Sequence, residues 1–286
     1  MEIIIRLSEN FYYSPFVFKA AFLFYILSLL TYVGVFYSNK KILQSIAPFL
    51  FVIASAFTTY FIVDRWVEAG RPPFKSLYES LMYAAFMVSM INIAIQYKYK
   101  LRILSSLAII VVIIPIFLYA LYKQDIEIIT LPPALDTWIF IPHVSAYFIA
   151  YSSMFLGFIT AVLTLIVPKG VNGHRSISDE SFIDFFHYTY EIAKFGFLFQ
   201  TIALLLGSFW GHEAWSNYWA WDPKENWALV SWFIFIIYLH LGKTGKLKKV
   251  AMSWVFIIGV AAILFTYLGM EYLPTADQSL HIYIEE

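Results

Sequence analysis

The sequence predicts an all-α integral membrane protein of about eight transmembrane helices, and three observations carry that prediction. Hydrophobic residues fill 61% of the 286 positions and charged residues only 13%, about half the charged share of an ordinary soluble domain. The mean hydropathy is +0.72. Apolar runs long enough to cross a hydrocarbon core of about 30 Å, which takes about 20 residues at the helical rise, recur eight times. Two function classes drop out at once. Lys plus Arg equal Asp plus Glu at 19 each, so the strongly basic balance of a nucleic-acid binder is missing. There is no cysteine, which removes disulfides, thiolate metal sites and a cysteine nucleophile from this chain.

In chain order the runs lie at about 15–37, 42–63, 77–97, 101–121, 144–167, 191–209, 227–241 and 251–269. No basic segment with a small-residue cleavage site precedes the first, so it is expected to be a retained helix. The seventh looks short, yet Asp222-Pro223-Lys224-Glu225 ahead of it reads as a helix start. Asp222 fits the N-cap, Pro223 the N1 position and Glu225 the N3 position of a capping box. Counted from Pro223, this helix is long enough to span. No repeat, low-complexity tract or long linker separates a soluble domain, and residues 1–286 read as one polytopic membrane domain.

Eight spans put both termini and the loops at about 64–76, 122–143 and 210–222 on one face. That face carries six basic residues, Arg6, Arg65, Arg71, Lys75, Lys123 and Lys224, whereas twelve fall on the other. The twelve cluster in short loops, among them Lys40, Lys41, Lys98, Lys100, Arg102, Lys243, Lys246, Lys248 and Lys249. By the positive-inside rule the second face is cytoplasmic, and the termini and the loop after the sixth span lie outside. Polar residues within the runs, Lys19, Glu79, Glu191, Lys194 and Gln200, are expected to face the bundle interior or to reach for an interface.

Six of the nine tryptophans fall between 210 and 232. One or two would read as part of an interfacial aromatic belt. A belt spreads over many helix ends, however, and this cluster occupies one contiguous outer loop with Gly and polar residues between the rings. Such a loop suits a flat apolar ligand: Trp210, Trp215, Tyr218, Trp219, Trp221 and Trp227 offer faces for stacking, with Asp222, Lys224 and Glu225 among them. Lys224 or an outer arginine such as Arg65 or Arg71, or Lys75, can pair with carboxylates at the ligand's edge.

The segment 210–227 resembles the tryptophan-rich WWD signature of haem-handling proteins in cytochrome c maturation. Its Trp-Asp-Pro-Lys-Glu ending is most similar to the CcsA (ResC) type of System II. Other landmarks agree. Gly70-Arg71-Pro72-Pro73-Phe74-Lys75-Ser76-Leu77-Tyr78-Glu79-Ser80-Leu81 resembles the entry to that family's third helix. Pro142-His143-Val144 with Tyr147 resembles its outer histidine motif, Ile237-Tyr238-Leu239-His240 the end of the helix after the loop, and Leu280-His281 the C-terminal outer histidine. His212 departs from the pattern and takes no role from it. His174 and His187 fall on the cytoplasmic face as solvated surface residues.

The resemblance implies that His143 and His281 bind the iron of an outer haem from opposite sides, a bis-imidazole set that suits haem. The topology independently puts both on the face of the tryptophan loop. His240 lies 17 residues beyond Pro223, about 26 Å along the helix and near the cytoplasmic edge. The family implies an inner haem ligand there, with its second ligand from a CcsB/ResB-type partner. No histidine precedes position 143. The implied function is relay of haem b to the outer face and its covalent attachment to the Cys-x-x-Cys-His motif of apocytochrome c, as a holocytochrome c synthase subunit. The implied membrane is a bacterial inner or plasma membrane, or a thylakoid. Two alternatives stay open: a CcmC-like haem transporter serving a separate chaperone, and a membrane scaffold whose aromatic loop binds a partner.

Overall fold

The structure is a computed structural model, and it describes residues 2–38, 40–99, 101–124, 127–128, 131–167 and 184–269. Among the described residues all regular structure is helical. Eight of the helices are long and apolar enough to cross a membrane, as the hydropathy requires. The chain folds as two compact units that meet in sequence at about Leu131.

The first unit contains α1 (Glu2–Tyr13), α2 (Phe16–Ser38), α3 (Lys41–Ala69), α4 (Leu77–Tyr99), α5 (Arg102–Ala108) and α6 (Ile114–Tyr122). Helix α1 was not expected, because Glu2, Arg6, Glu9 and Asn10 interrupt its apolar residues. At 12 residues it reaches only about 18 Å and cannot span. Asn10 ties it to the unit by donating to the Leu121 carbonyl at 2.7 Å. A π turn at Ile109–Ile113 joins α5 to α6. Pro115 comes two residues after it; a proline has no N–H for the carbonyl four residues back, and the wider turn accommodates that defect.

Helix α4 is the most deeply buried span of this unit. At its start Glu79 is fully enclosed and holds two guanidiniums. Arg71 donates to Oε2 at 2.8 Å and to Oε1 at 3.2 Å, Arg65 donates to Oε1 at 3.1 Å, and the Lys75 N–H adds a bond at 3.0 Å. Arg65 also reaches the Glu127 carbonyl at 2.8 Å. Glu79 thus faces the interior as the sequence demands. The expectation that Arg65 and Arg71 serve a ligand's carboxylates is corrected: a buried carboxylate needs neutralising partners, and these two arginines supply them. Deeper in the unit the Tyr25 hydroxyl bonds with Ser89 at 2.6 Å and Thr58 at 3.3 Å.

The second unit contains a 3-10 turn at Pro133–Leu135, α7 (Phe140–Ile166), α8 (Phe185–Trp215), α9 (Pro223–Thr244) and α10 (Lys249–Leu264), which runs into a π turn at Phe265–Gly269. Its core gathers Met154, Phe235, Tyr238, Phe256 and Ile263. Polar pairs cross it: Thr160 with Thr189 at 2.8 Å, and Gln200 donating to Ser231 at 2.8 Å. The outer face of α8 exposes Phe195, Leu198, Ile202, Leu205 and Phe209 at spacings of three and four, the stripe of a helix that meets hydrocarbon.

One boundary differs from expectation. The segment 210–222 is not a loop throughout, because α8 continues to Trp215 and stops only where Ser216 adopts a left-handed conformation at φ 58°. An apolar count ends a span where polar residues begin, but backbone hydrogen bonds persist until a residue breaks them. Nothing from Trp210 to Trp215 does so.

Candidate functional site

The connection between α8 and α9 is short, and its C-terminal side is held by the box that Asp222 and Glu225 were expected to form. The Asp222 carboxylate accepts from the Lys224 N–H at 2.8 Å. Oε2 of Glu225 accepts from the N–H groups of Ala220 at 2.9 Å and Asp222 at 3.1 Å. Asn226 completes the clamp by donating to the Trp221 carbonyl at 2.8 Å. Between these bonds Trp221 sits at φ 57°, a left-handed conformation rare for a bulky side chain. Its indole is 69% exposed. The two acidic residues therefore shape the turn that presents the ring. The Trp219 ring lies edge-on to it at 6.1 Å.

Tyr218, half exposed, stacks on His212 at 4.1 Å with only 5° between the planes and meets Phe209 edge-on at 6.1 Å. His212 is thereby drawn into the aromatic surface. Trp227, one turn into α9, packs on Phe265 at 4.4 Å.

His143 lies in the first turn of α7 and is half-buried. Its Nδ1 is 2.9 Å from the Ala203 carbonyl of α8. A carbonyl can only accept, so Nδ1 carries the proton and the lone pair of the neutral ring resides on Nε2. The imidazole stacks on Trp210 at 5.5 Å and 23° and meets Tyr147 edge-on at 5.1 Å. Trp210 is itself fixed. It is 3% exposed, donates its indole N–H to the Ala134 carbonyl at 2.8 Å, and packs against Phe140 at 5.4 Å and Trp215 at 4.7 Å.

The fold thus unites His143 with Trp210 and Trp215 at one end of the unit, where α7 begins, α8 ends and α9 begins. His240 is exposed near the far end of α9. His281, together with His174, lies outside the described residues. Sequence reasoning did not find the Ala203 carbonyl or Gly207, which seat the imidazole. The signal available for them is a pair of small residues four apart on α8, one turn before Trp210. Among the described residues no group of three or more acidic or histidine side chains is arranged to hold a metal ion. A planar macrocycle asks for something else, namely exposed ring faces and oriented imidazoles, and among the described residues Tyr218 and Trp221 are of the first kind and His143 of the second.

Comparisons with known proteins point in one direction. The family described as Cytochrome C assembly protein matches residues 74–276. Similar curated proteins include the cytochrome c biogenesis protein CcsA of Guillardia theta, 29% identical over 289 residues, covering 92% of this chain and 93% of that protein. The Chlamydomonas reinhardtii protein of the same name is 30% identical over 227 residues, 78% of this chain and 64% of the relative. That of Prochlorococcus marinus strain MIT 9215 is 27% identical over 295 residues, 94% and 95% of the two chains. Among solved structures, Cytochrome c Heme Lyase CcmF superposes with a TM-score of 0.65 at 15% identity. The likeness covers 88% of this chain but only 46% of CcmF, so this chain spans less than half of that protein's length, and the likeness is one of fold.

Proposed function

The chain belongs to the cytochrome c assembly protein family, as an integral membrane protein of the CcsA type in cytochrome c biogenesis, and from that premise we propose that it holds haem b at the outer membrane surface for covalent attachment to apocytochrome c. The observation that carries this reading is the seat of His143. Its Nδ1–H faces the Ala203 carbonyl and its ring stacks on Trp210, at the end of the unit where Tyr218 and Trp221 expose their rings.

His143 is the proposed axial ligand on one side of the iron, and His281 the second. Trp210 backs the His143 ring, and Trp215 packs edge-on against Trp210. Tyr218, Trp219 and Trp221 supply apolar faces for the macrocycle, Trp227 packs behind them, and Lys224 stands where a propionate is neutralised. Asp222 and Glu225 act by holding the turn. When bound, haem supplies the vinyl groups to which the two substrate thiols add. The chain contributes position: stacking and axial ligation fix one orientation, which removes much of the entropy of the encounter. With both histidines on the iron, dioxygen would find no open coordination position before the substrate's own histidine takes over. Because the chain has no cysteine, no thiol of its own competes with those of the substrate.

His240 is proposed as ligand for an inner haem whose second ligand comes from a CcsB/ResB-type subunit. In support, it shares its exposed stripe on α9 with Val230, Phe233 and Ile237, and a lone imidazole on a hydrocarbon-facing stripe asks for a partner.

The test is the haem spectrum of purified His143→Ala and His281→Ala. Each is expected to lose the low-spin ferrous bands; an unaltered spectrum overturns the axial assignment. Coexpression with the partner and a Cys-x-x-Cys-His reporter, in a host without other maturation systems, then reads the reaction. Covalent haem on the reporter supports attachment, whereas haem handed on without a covalent product supports the transporter. Stronger retention of the inner haem with the partner than without it supports the role of His240, and equal retention overturns it.

A further inference from the structure

Helix α8 carries a notch in the turn that faces His143. An ideal Cβ at Gly207 would lie 2.5 Å from Cε1 of the imidazole and 2.9 Å from its Nδ1, closer than side-chain carbons approach other heavy atoms. The acceptor of the Nδ1 proton, the Ala203 carbonyl, is the carbonyl that helix geometry assigns to the N–H of Gly207 itself. The missing side chain and the hydrogen-bond acceptor therefore belong to the same helical turn. On the other side, Trp210 closes over the ring from three residues further along. One turn of α8 thus sets the position, the tautomer and the plane of an imidazole that belongs to α7.

We propose that Gly207 is a positioning residue for the outer haem: its lack of a side chain lets the His143 ring approach α8 closely enough to donate its Nδ1 proton to Ala203, which orients the ring for the iron. The inference rests on the reading of His143 as an axial ligand and extends it to a residue that touches neither haem nor substrate. The acceptor also acts on the ligand's chemistry. A carbonyl that takes the Nδ1 proton makes Nε2 a better donor, and loss of such an outer partner typically costs about 10–100-fold in affinity. The cost of keeping glycine points the same way. In a helix interior, glycine is less favourable than alanine by about 1 kcal/mol, so alanine at 207 strengthens the helix and harms only what the notch accommodates.

The experiment compares Gly207→Ala, His143→Ala and the double variant with wild type, all purified as the full chain with its partner. Gly207→Ala is expected to retain its helical circular dichroism, to lose about 10–100-fold in haem retention, and to shift the Soret band and midpoint potential of what haem remains. Gly34→Ala in α2 is the control, since a Cβ there meets only Leu43 at 3.4 Å; it is expected to bind haem as wild type does. In the His143→Ala background, Gly207→Ala is expected to have no further effect, because its action passes through the ring. If Gly207→Ala alone fails to accumulate, recovery in the double variant supports the proposal, since removal of the ring removes the clash. The proposal is overturned if Gly207→Ala matches wild type in retention and spectrum, if it lowers retention equally in both backgrounds, or if the double variant also fails to accumulate. An unchanged spectrum in His143→Ala instead overturns the axial assignment, a result that Gly207→Ala alone cannot imitate.

Discussion

A single oxygen atom, Oε2 of Glu225, holds the N–H groups on both sides of Trp221, and it accounts for that residue better than contact with a ligand does. Glu225→Ala is expected to lower stability by about 1 kcal/mol through loss of the reciprocal cap, and to weaken haem retention because Trp221 is no longer held in its left-handed turn. Glu225→Gln keeps an acceptor at the same reach and is expected to restore most of both. Thermal melts and haem titration of the two variants check this, and weakened retention without any loss of stability contradicts it. The capping box was legible because its chemistry is written in residue types at fixed spacing. His143 and the tryptophans were singled out differently, by their likeness to a family motif and by their crowding in one segment. Gly207 was not: what matters there is an absent atom, and a helix shows no pattern for a vacancy until its neighbour is known.

Among elements, the spans could be read because bilayer thickness dictates how many apolar residues a helix needs. Their ends could not, since backbone bonding continues beyond hydrocarbon, as in α8. Nor could the partners of Glu79 be read, because Arg65 and Arg71 come from the end of α3 and the turn before α4 and meet the carboxylate only once folded. That cluster anchors the start of α4. Glu79→Gln leaves two guanidiniums enclosed without a counter-charge and is expected to cost about 3–5 kcal/mol. Replacing Arg65, Arg71 and Glu79 together with apolar residues of similar volume is expected to cost far less. Denaturant unfolding in detergent measures both, and equal losses exclude uncompensated charge as the cause.

For the molecule as a whole, eight crossings follow from the length and spacing of the apolar runs, and the distribution of lysine and arginine gives an expectation for the sides that labelling can test. Because the chain is cysteine-free, single cysteines report sidedness without background. Asn217→Cys, in the turn before α9, is expected to react with a membrane-impermeant maleimide applied outside intact cells. Lys246→Cys, just beyond α9, is expected to react only after permeabilisation. Labelling of both from one side contradicts the alternation. Division into two units, by contrast, has no sequence marker, since each is built from helices of the same apolar character.

The length of α8 has one more consequence. Its 31 residues form a rod of about 46 Å, and the helix is unbroken between Gly196, where Met154 packs, and the indoles at its tip. Each residue turns such a rod by about 100°, so the angular phase of Trp210 is dictated deep inside the bilayer. Inserting one alanine between positions 197 and 202 would swing the whole tip away from His143 without removing any aromatic residue from the chain, and a compensating deletion before Gly207 would swing it back.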